Sequence, residues 1–148
     1  MVRVAGAVRV VDTRSAAGGE GLVALAAARR TIPTFQQLAV RAPDSVQTHQ
    51  DLGSAFESVA DLLLRSGNGK EALPLLQDSI GEFRAVLRLE PGNFRARRAL
   101  PIGKIKLGNI YLDSGDAERA TSNYQQAVDD LDALYQQTRR SELRRLRA

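Results

Sequence analysis

Few side chains in this 148-residue chain have the type and spacing that catalysis needs. Cysteine is absent and His49 is the only histidine, which excludes thiol chemistry, Cys-ligated metals and sites built on two histidines. Asp129, Asp130 and Asp132 are close along one predicted helix, so their carboxylates point in different directions and form no acid–base pair. No Gly-rich nucleotide loop and no protein-kinase motif is present. We therefore expect no catalytic, metal-binding or cofactor-binding residues, and His49 is interpreted as an exposed residue early in a helix.

Positive charge is concentrated at residues 139–148, whereas the rest of the chain has balanced charge. The arginines of this basic tail are Arg139, Arg140, Arg144, Arg145 and Arg147. One hypothesis is that they meet nucleic acid, an anionic membrane or an acidic partner. The other is that the last helix continues, with Leu143 and Leu146 covering the end of the fold. We favour the second hypothesis because the ends of a helical stack need a polar surface, and no aromatic residues interleave with the arginines.

The composition favours helices packed on helices. Leucine, alanine, valine and isoleucine supply most of the apolar residues, while aromatic residues make up only 5% and tryptophan is absent. The first residues, MVRVAGAVRVVDTR, are too short and too often interrupted by charge for a membrane span. They resemble a transit peptide only faintly, since they lack serine enrichment. We leave residues 1–18 unassigned and expect a cytoplasmic protein.

An internal repeat organises the remaining chain. Shifting the sequence by 48 residues places Pro43 on Pro91 and Gly67 on Gly115. Further pairs keep an apolar residue while its identity changes, among them Leu62/Ile110, Leu76/Tyr124, Ile80/Val128, Phe83/Leu131 and Leu87/Tyr135. Packing restricts the size and polarity of a residue more than its identity, so we interpret these pairs as packing positions. The predicted organisation is one domain over 19–138, made of a half repeat (19–42) and two repeats (43–90 and 91–138), followed by the tail.

Each repeat is predicted to contain two helices, because apolar residues recur at three- and four-residue steps. The predicted spans are 45–65, 69–89, 93–113 and 116–137. Between the paired helices, Gly67 and Gly115 supply the left-handed conformation that ends a helix. Asn68 and Asp116 are expected to cap the helix that follows.

Prolines are expected to punctuate these helices. Pro43 and Pro91 mark the breaks between repeats. Pro74 is expected in a first helical turn, where proline is tolerated. Pro33 and Pro101 fall inside predicted helices and should kink or break them, so that the span 93–113 could consist of two pieces.

The second repeat resembles a tetratricopeptide repeat (TPR). The positions that carry the resemblance are Leu107, Gly108, Tyr111, Ala120, Tyr124 and Ala127. The unit is longer than the family's usual one of about 34 residues, and in this it is similar to the long-repeat bacterial and kinesin-light-chain-like members. Lys104 replaces the family's frequent early tryptophan, and Asp132 replaces its late proline. The resemblance implies an all-α, right-handed superhelical stack of antiparallel helix pairs, a TPR-like α-solenoid.

The same resemblance implies a binding surface, because the first helix of each repeat lines the concave face in such folds. The residues placed there are Ser54, Glu57, Asp61, Leu64, Ile102, Ile105, Asn109 and Asp113. The alternative is that they form a solvated helix face. Asn109 stands where peptide-carboxylate-binding members place an asparagine, but Ile105 replaces the basic residue expected four positions earlier, which argues against a clamp for a chaperone tail.

The function implied is a non-catalytic scaffold that binds a peptide or partner helix on the concave face. Bacterial arrays of this kind often flank signalling domains such as Ser/Thr kinases, so the resemblance also implies a fragment of a larger signalling protein. Because each repeat buries its apolar stripe only against a neighbour, we expect self-association or a longer array. The alternative hypothesis is binding of nucleic acid or an anionic surface through the basic tail, and we expect those partners less.

Overall fold

The chain is all-α over the residues that the computed structural model describes, 16–147, and this range contains no strand. The helices are α1 (Ala16–Arg41), α2 (Val46–Arg65), α3 (Gly69–Leu89), α4 (Phe94–Asp113) and α5 (Ala117–Arg147). Each helix packs against the next along the chain. The predicted fold class is confirmed at this level. The faint transit-peptide resemblance lies within residues 1–14, outside the described range.

The 48-residue repeat is visible in the helix boundaries. Helix α4 begins and ends 48 positions after α2, and α5 begins 48 positions after α3. The predicted spans agree with these helices within one residue at every end except the last. There, α5 continues through residues 138–147, so the basic tail is a helical extension of α5.

The turns inside the two repeats share one hydrogen-bond pattern. In the first, the amide of Asn68 donates to Leu63 O at 2.8 Å and the amide of Gly67 donates to Leu64 O at 3.0 Å. The second turn repeats both bonds with Asp116 and Gly115 as donors. The φ angles of Gly67 and Gly115 are 75° and 83°, in the left-handed region that this pattern needs. The predicted helix ends are therefore confirmed.

The predicted capping of the second helices is half correct. The Asp116 carboxylate accepts a hydrogen bond from the amide of Arg119 at 3.0 Å, as expected. The side chain of Asn68 makes no capping bond. Its backbone carbonyl accepts from the amides of Glu71 and Ala72 instead, so the start of α3 is closed by main-chain bonds.

Between repeats, Pro43 and Pro91 lie in the turns before α2 and α4, which confirms their predicted role. The residue that precedes each helix accepts a hydrogen bond from an amide in the first turn. Ser45 Oγ accepts from Thr48 N at 3.2 Å, and Asn93 Oδ1 accepts from Ala96 N at 3.0 Å. These caps fix where the first helix of each repeat begins.

The prolines inside the helices interrupt none of them. Helix α1 runs through Pro33 and α4 through Pro101, so the expectation of a break in the span 93–113 is wrong. Pro101 is fully buried, and its ring packs in the core while only one backbone donor is lost. Pro74 is the sixth residue of α3 instead of lying in its first turn.

The core lies between α2, α3 and α4. Its most deeply buried large side chains are Val59, Leu63, Leu76, Val86 and Pro101. Helix α5 contributes only Ala120 and Ala127 to the buried set. Most of its larger apolar side chains are exposed, among them Val128, Leu131 and Tyr135.

Candidate protein-interaction site

The predicted binding residues of α2 are engaged by α4. Ser54 Oγ accepts a hydrogen bond from Arg95 Nη2 at 2.9 Å. The ammonium of Lys106 lies 2.9 Å from Glu57 Oε1 and 2.7 Å from Asp61 Oδ1. Three of the four predicted α2 residues therefore hold the two repeats together. The fourth, Leu64, is half-buried against the hydrophobic core.

Lys106 is a fixed cation in this contact. Partial burial by itself would lower the pKa of Lys106, but hydrogen bonds to Asp61 and Glu57 outweigh burial and raise the pKa above its ordinary value. The ammonium is therefore charged at neutral pH and balances one of the two carboxylates facing it. The site can hold α2 and α4 in register, but it presents few free polar groups to a ligand.

The predicted residues of α4 lie on the side of that helix away from α2. Ile102, Ile105 and Asn109 occupy the positions 48 residues after Ser54, Glu57 and Asp61. Because the α2 residues face the next repeat, their α4 counterparts face outward, where no helix in the range 16–147 covers them. Ile102 and Ile105 are exposed, and Asn109 Oδ1 accepts a hydrogen bond from Tyr124 Oη at 2.7 Å. Asp113, in the last turn of α4, is also exposed.

Helix α5 adds a second exposed apolar row. Val128, Leu131 and Tyr135 are 49%, 45% and 62% exposed. Their counterparts in α3 are Ile80, Phe83 and Leu87; the first two are only 5% and 2% exposed. For Ile80 the difference has a physical cause, because Gly103 of α4 lies against it while no described helix covers Val128; Phe83 lies against Gly53 of α2.

The contact between α3 and α4 shows how such a row is covered. Gly103 of α4 lies against Ile80, and a β-carbon on Gly103 would stand 3.0 Å from Ile80 Cγ1. Helix α4 also contacts α2, because Lys106 lies against Glu57 and Asp61. A single helix therefore covers residues from both helices of the first repeat. The equivalent rows of α4 and α5 form one surface. We name it the open face: Ile102, Ile105, Val128, Leu131 and Tyr135.

Sequence reasoning found only the α4 half of the open face. The sequence comparison recognised the α5 residues only as apolar counterparts of α3 residues, at positions that packing constrains. The signal that could have identified them is their position in the last described repeat, because no further described helix packs on that repeat.

The basic tail lies on the exposed end of α5. Leu143 is 46% exposed and Leu146 is 84% exposed, so the expectation that they cover the end of the described fold is wrong. A cleft of about 490 Å³ separates this end from the start of α4. It is lined by Gly92, Arg97, Ala133, Gln136, Gln137, Arg140, Ser141 and Arg144. Arg139, Arg145 and Arg147 do not line it, so the five tail arginines are not gathered into one site.

His49 is not the exposed residue that the sequence suggested. Its Nδ1 lies 2.6 Å from Glu82 Oε2 and its Nε2 lies 2.8 Å from Pro43 O. Both partners are acceptors, so the ring satisfies both only as an imidazolium that donates from each nitrogen. Burial alone would lower the pKa of His49, but these two hydrogen bonds outweigh it and raise the pKa above 6.5. The residue links α2 to α3.

No protein-family model matches the chain, and no curated protein matches its sequence significantly. Among the residues that the structure describes, no cluster of three or more metal-ligating side chains occurs. Within the same range, no helix combines the length and hydrophobicity that crossing a membrane requires. Functional inference therefore depends on the surfaces of the helices and on the internal repeat.

Proposed function

We propose that this protein is a TPR-like α-solenoid scaffold that binds a helical segment on the open face. The observation that carries the proposal is the 48-residue correspondence between two surfaces. On α2 and α3 the surface is covered by α4, and on α4 and α5 the equivalent surface is exposed and apolar. An apolar patch of this kind on a folded protein marks a place where another segment packs.

The chemistry of the bound segment follows from α4, which serves as an internal template. Helix α4 meets Ile80 with the small residue Gly103, and it meets Glu57 and Asp61 with Lys106. On the open face, Ile105 and Asn109 replace those two carboxylates. A bound helix should therefore be amphipathic, with a small residue facing α5 and an apolar residue where α4 carries its lysine.

A peptide test follows from this template. The probe is a fluorescent peptide of residues 93–114 carrying Lys106→Ile, and its binding is measured by anisotropy. We expect saturable binding to the wild-type protein, at least tenfold weaker binding to the Leu131→Arg variant, and unchanged binding to Val40→Arg. Val40 is a suitable control because it is highly exposed on α1, at the other end of the helix order. Equal affinity for all three proteins would exclude the open face.

The resemblance to bacterial arrays that flank Ser/Thr kinases supports the setting that we propose, a cytoplasmic signalling protein. The concave-face hypothesis is narrowed by the contacts of α2: Ser54, Glu57 and Asp61 are already partnered within the chain. The proposed site therefore keeps Ile102 and Ile105 from that hypothesis, with Asn109 beside them, and adds the α5 row.

The exposed arginines favour a second candidate function, binding of nucleic acid or an anionic surface. Arg97, Arg140 and Arg144 line one cleft. Binding of a labelled oligonucleotide or of anionic vesicles through these residues should collapse between low and moderate salt and disappear on truncation after Thr138. Peptide binding on the open face should persist at moderate salt, because it depends on apolar contact.

A further inference from the structure

We propose that the helix on the open face is α5 of a second copy of this chain, lying antiparallel to the first with the two-fold axis at Tyr135. This inference rests on the proposed function, because it names the occupant of the same face. Three properties of α5 carry it: the exposed apolar residues along one of its sides, the distribution of its charges and the position of two of those charges around the helix.

The apolar stripe of α5 extends beyond the open face. Val128 and Leu146 are 18 residues apart, which is five helical turns, and Tyr135 and Leu146 are 11 apart, about three turns. The three side chains therefore lie on one side of the helix, and all of them are exposed. The side of α5 from Val128 to Leu146 is about 27 Å long at 1.5 Å per residue, and Asp132, Arg139 and Glu142 lie on it among the apolar residues. In a two-fold pair with its axis at Tyr135, the two helices overlap over residues 123–147.

The charges of α5 are segregated along the helix. Residues 117–138 carry four carboxylates and one arginine, whereas residues 139–147 carry five arginines and one glutamate. A parallel pair would place like charges side by side. An antiparallel pair places the acidic part of each helix beside the basic part of the other, which selects that orientation.

The individual charges lie on the correct edge for such pairing. With the axis at Tyr135, Asp132 comes within one residue of being level with Arg139 of the second copy. Asp132 and Arg139 are seven residues apart in one helix, about two turns, so both lie on the same edge of the stripe. Equivalent edges meet each other in a two-fold antiparallel pair. Within the described range, neither Asp129 nor Asp132 forms an ion pair, whereas Asp130 is held by Lys104 on another side at 2.6 Å.

The hairpin of α4 and α5 places the remaining open-face residues beside this stripe. Gly108 lies against Tyr124, and Lys104 lies against Asp130, so Ile105 is level with the part of α5 that holds Val128. A second α5 in this position is antiparallel to the first, as α4 is to α3. The resulting arrangement is a four-helix bundle made of α4 and α5 from each copy.

The exposed apolar residues of α1 offer no comparable stripe. Val23 and Val40 are strongly exposed, but they are 17 residues apart and lie roughly 100° from each other around the helix. They are single apolar residues on a surface, which need no partner. Self-association is therefore assigned to α5 and not to α1.

The first test is the mass of the purified full chain by light scattering and sedimentation at micromolar concentration. We expect twice the chain mass of 16.1 kDa for wild type. Tyr135→Glu should be monomeric, because the two substituted side chains meet at the axis. Gln126→Glu adds the same charge on the opposite side of α5 and should remain dimeric. Circular dichroism checks that both variants are folded.

A charge exchange tests the orientation. Asp132→Arg and Arg139→Asp should each raise the dissociation constant of the dimer at least tenfold, and the double substitution should restore it to within about threefold. Because the chain has no native cysteine, Tyr135→Cys provides an independent test of the axis. Mild oxidation should link two copies of this variant, while Gln126→Cys should stay unlinked.

Monomeric wild-type protein at about 100 μM would overturn the inference, as would a dimer that survives Tyr135→Glu or a charge exchange that does not restore association. If the wild type is monomeric yet binds the α4-derived peptide through Leu131, the proposed function stands and only its occupant is wrong. If peptide binding is equally strong in Leu131→Arg, the proposed function itself fails.

Discussion

The Tyr124 ring lies so close to Gly108 that a β-carbon on Gly108 would stand 2.5 Å from Tyr124 Cε1. Forty-eight residues earlier, the same two positions hold Ala60 and Leu76, both completely buried. The second repeat thus has a smaller residue on its first helix and a larger one on its second. The two repeats pair small and large residues in different ways at the same helix crossing.

A double-mutant cycle can test this compensation between the residues at positions 108 and 124. Gly108→Ala should lower the free energy of unfolding by about 1 kcal/mol, since overpacking against Tyr124 outweighs the gain in helix propensity. Gly108→Ala combined with Tyr124→Leu recreates the pair of the first repeat, and most of the loss should be recovered. Urea denaturation followed by circular dichroism, at one fixed protein concentration, measures all four proteins. Additive effects of the two substitutions would contradict the compensation.

Two other glycines predict opposite effects of one substitution. Gly115 has a φ of 83°, so Gly115→Ala should cost about 1–2 kcal/mol from backbone strain alone. Gly81 lies inside α3, and a β-carbon there would meet no atom within 4 Å. Gly81→Ala should therefore stabilise the protein by roughly 0.5–1 kcal/mol through helix propensity. Thermal denaturation of the two variants beside wild type checks the signs, and a shared sign would show that one of these backbone assignments is wrong.

The helix boundaries could be predicted because local residues determine them. Gly67 and Gly115 end helices through their own φ angles, and Ser45 and Asn93 precede helices as side-chain caps. The prediction of a break at Pro101 was wrong because the missing backbone N–H donor is offset by burial of the proline ring in the core. That burial depends on tertiary packing, which the sequence alone does not show. Local residue preferences therefore predicted the turns, but they did not predict that tertiary packing keeps α4 continuous.

The candidate site was harder to predict than the fold. The family resemblance implied that Glu57 and Asp61 share one face of α2, but it could not show that Lys106 from the next repeat lies against them. His49 was misjudged for the same reason, because its partner Glu82 is 33 residues away. Side-chain partners across helices depend on helix rotation and register, which a single sequence does not specify.

His49 predicts a pH-dependent stability. Its pKa is raised above 6.5 in the folded protein, so protonation favours folding. The contribution is complete below the ordinary pKa and is lost as the pH rises through the raised folded-state pKa. Arg88, which acts to lower this pKa, does not reverse the direction.

Urea denaturation between about pH 5.5 and about pH 8.5 measures the effect. The free energy of unfolding of the wild type should fall as the pH rises through this window. His49→Gln should lose about 1 kcal/mol at the acidic end and should lack the part of the slope due to His49. Parallel pH profiles for the two proteins would show that the imidazolium does not link α2 to α3.

Lys106 predicts how strongly the two repeats are coupled. Lys106→Ala leaves Glu57 and Asp61 facing each other without their cation, and the expected loss is about 1–2 kcal/mol after allowance for solvent screening at these partly exposed groups. Lys70→Ala removes an exposed lysine of α3 and should change stability by less than about 0.5 kcal/mol. Adding Glu57→Gln and Asp61→Asn to Lys106→Ala should recover part of the loss, because the repulsion between the two carboxylates disappears.

Thermal denaturation at low and high salt measures these differences in stability. The loss in Lys106→Ala should shrink at high salt, because repulsion between the carboxylates is screened. A loss that is unchanged by salt and by the two amide substitutions would mean that the aliphatic part of Lys106, and not its charge, holds α4 against α2.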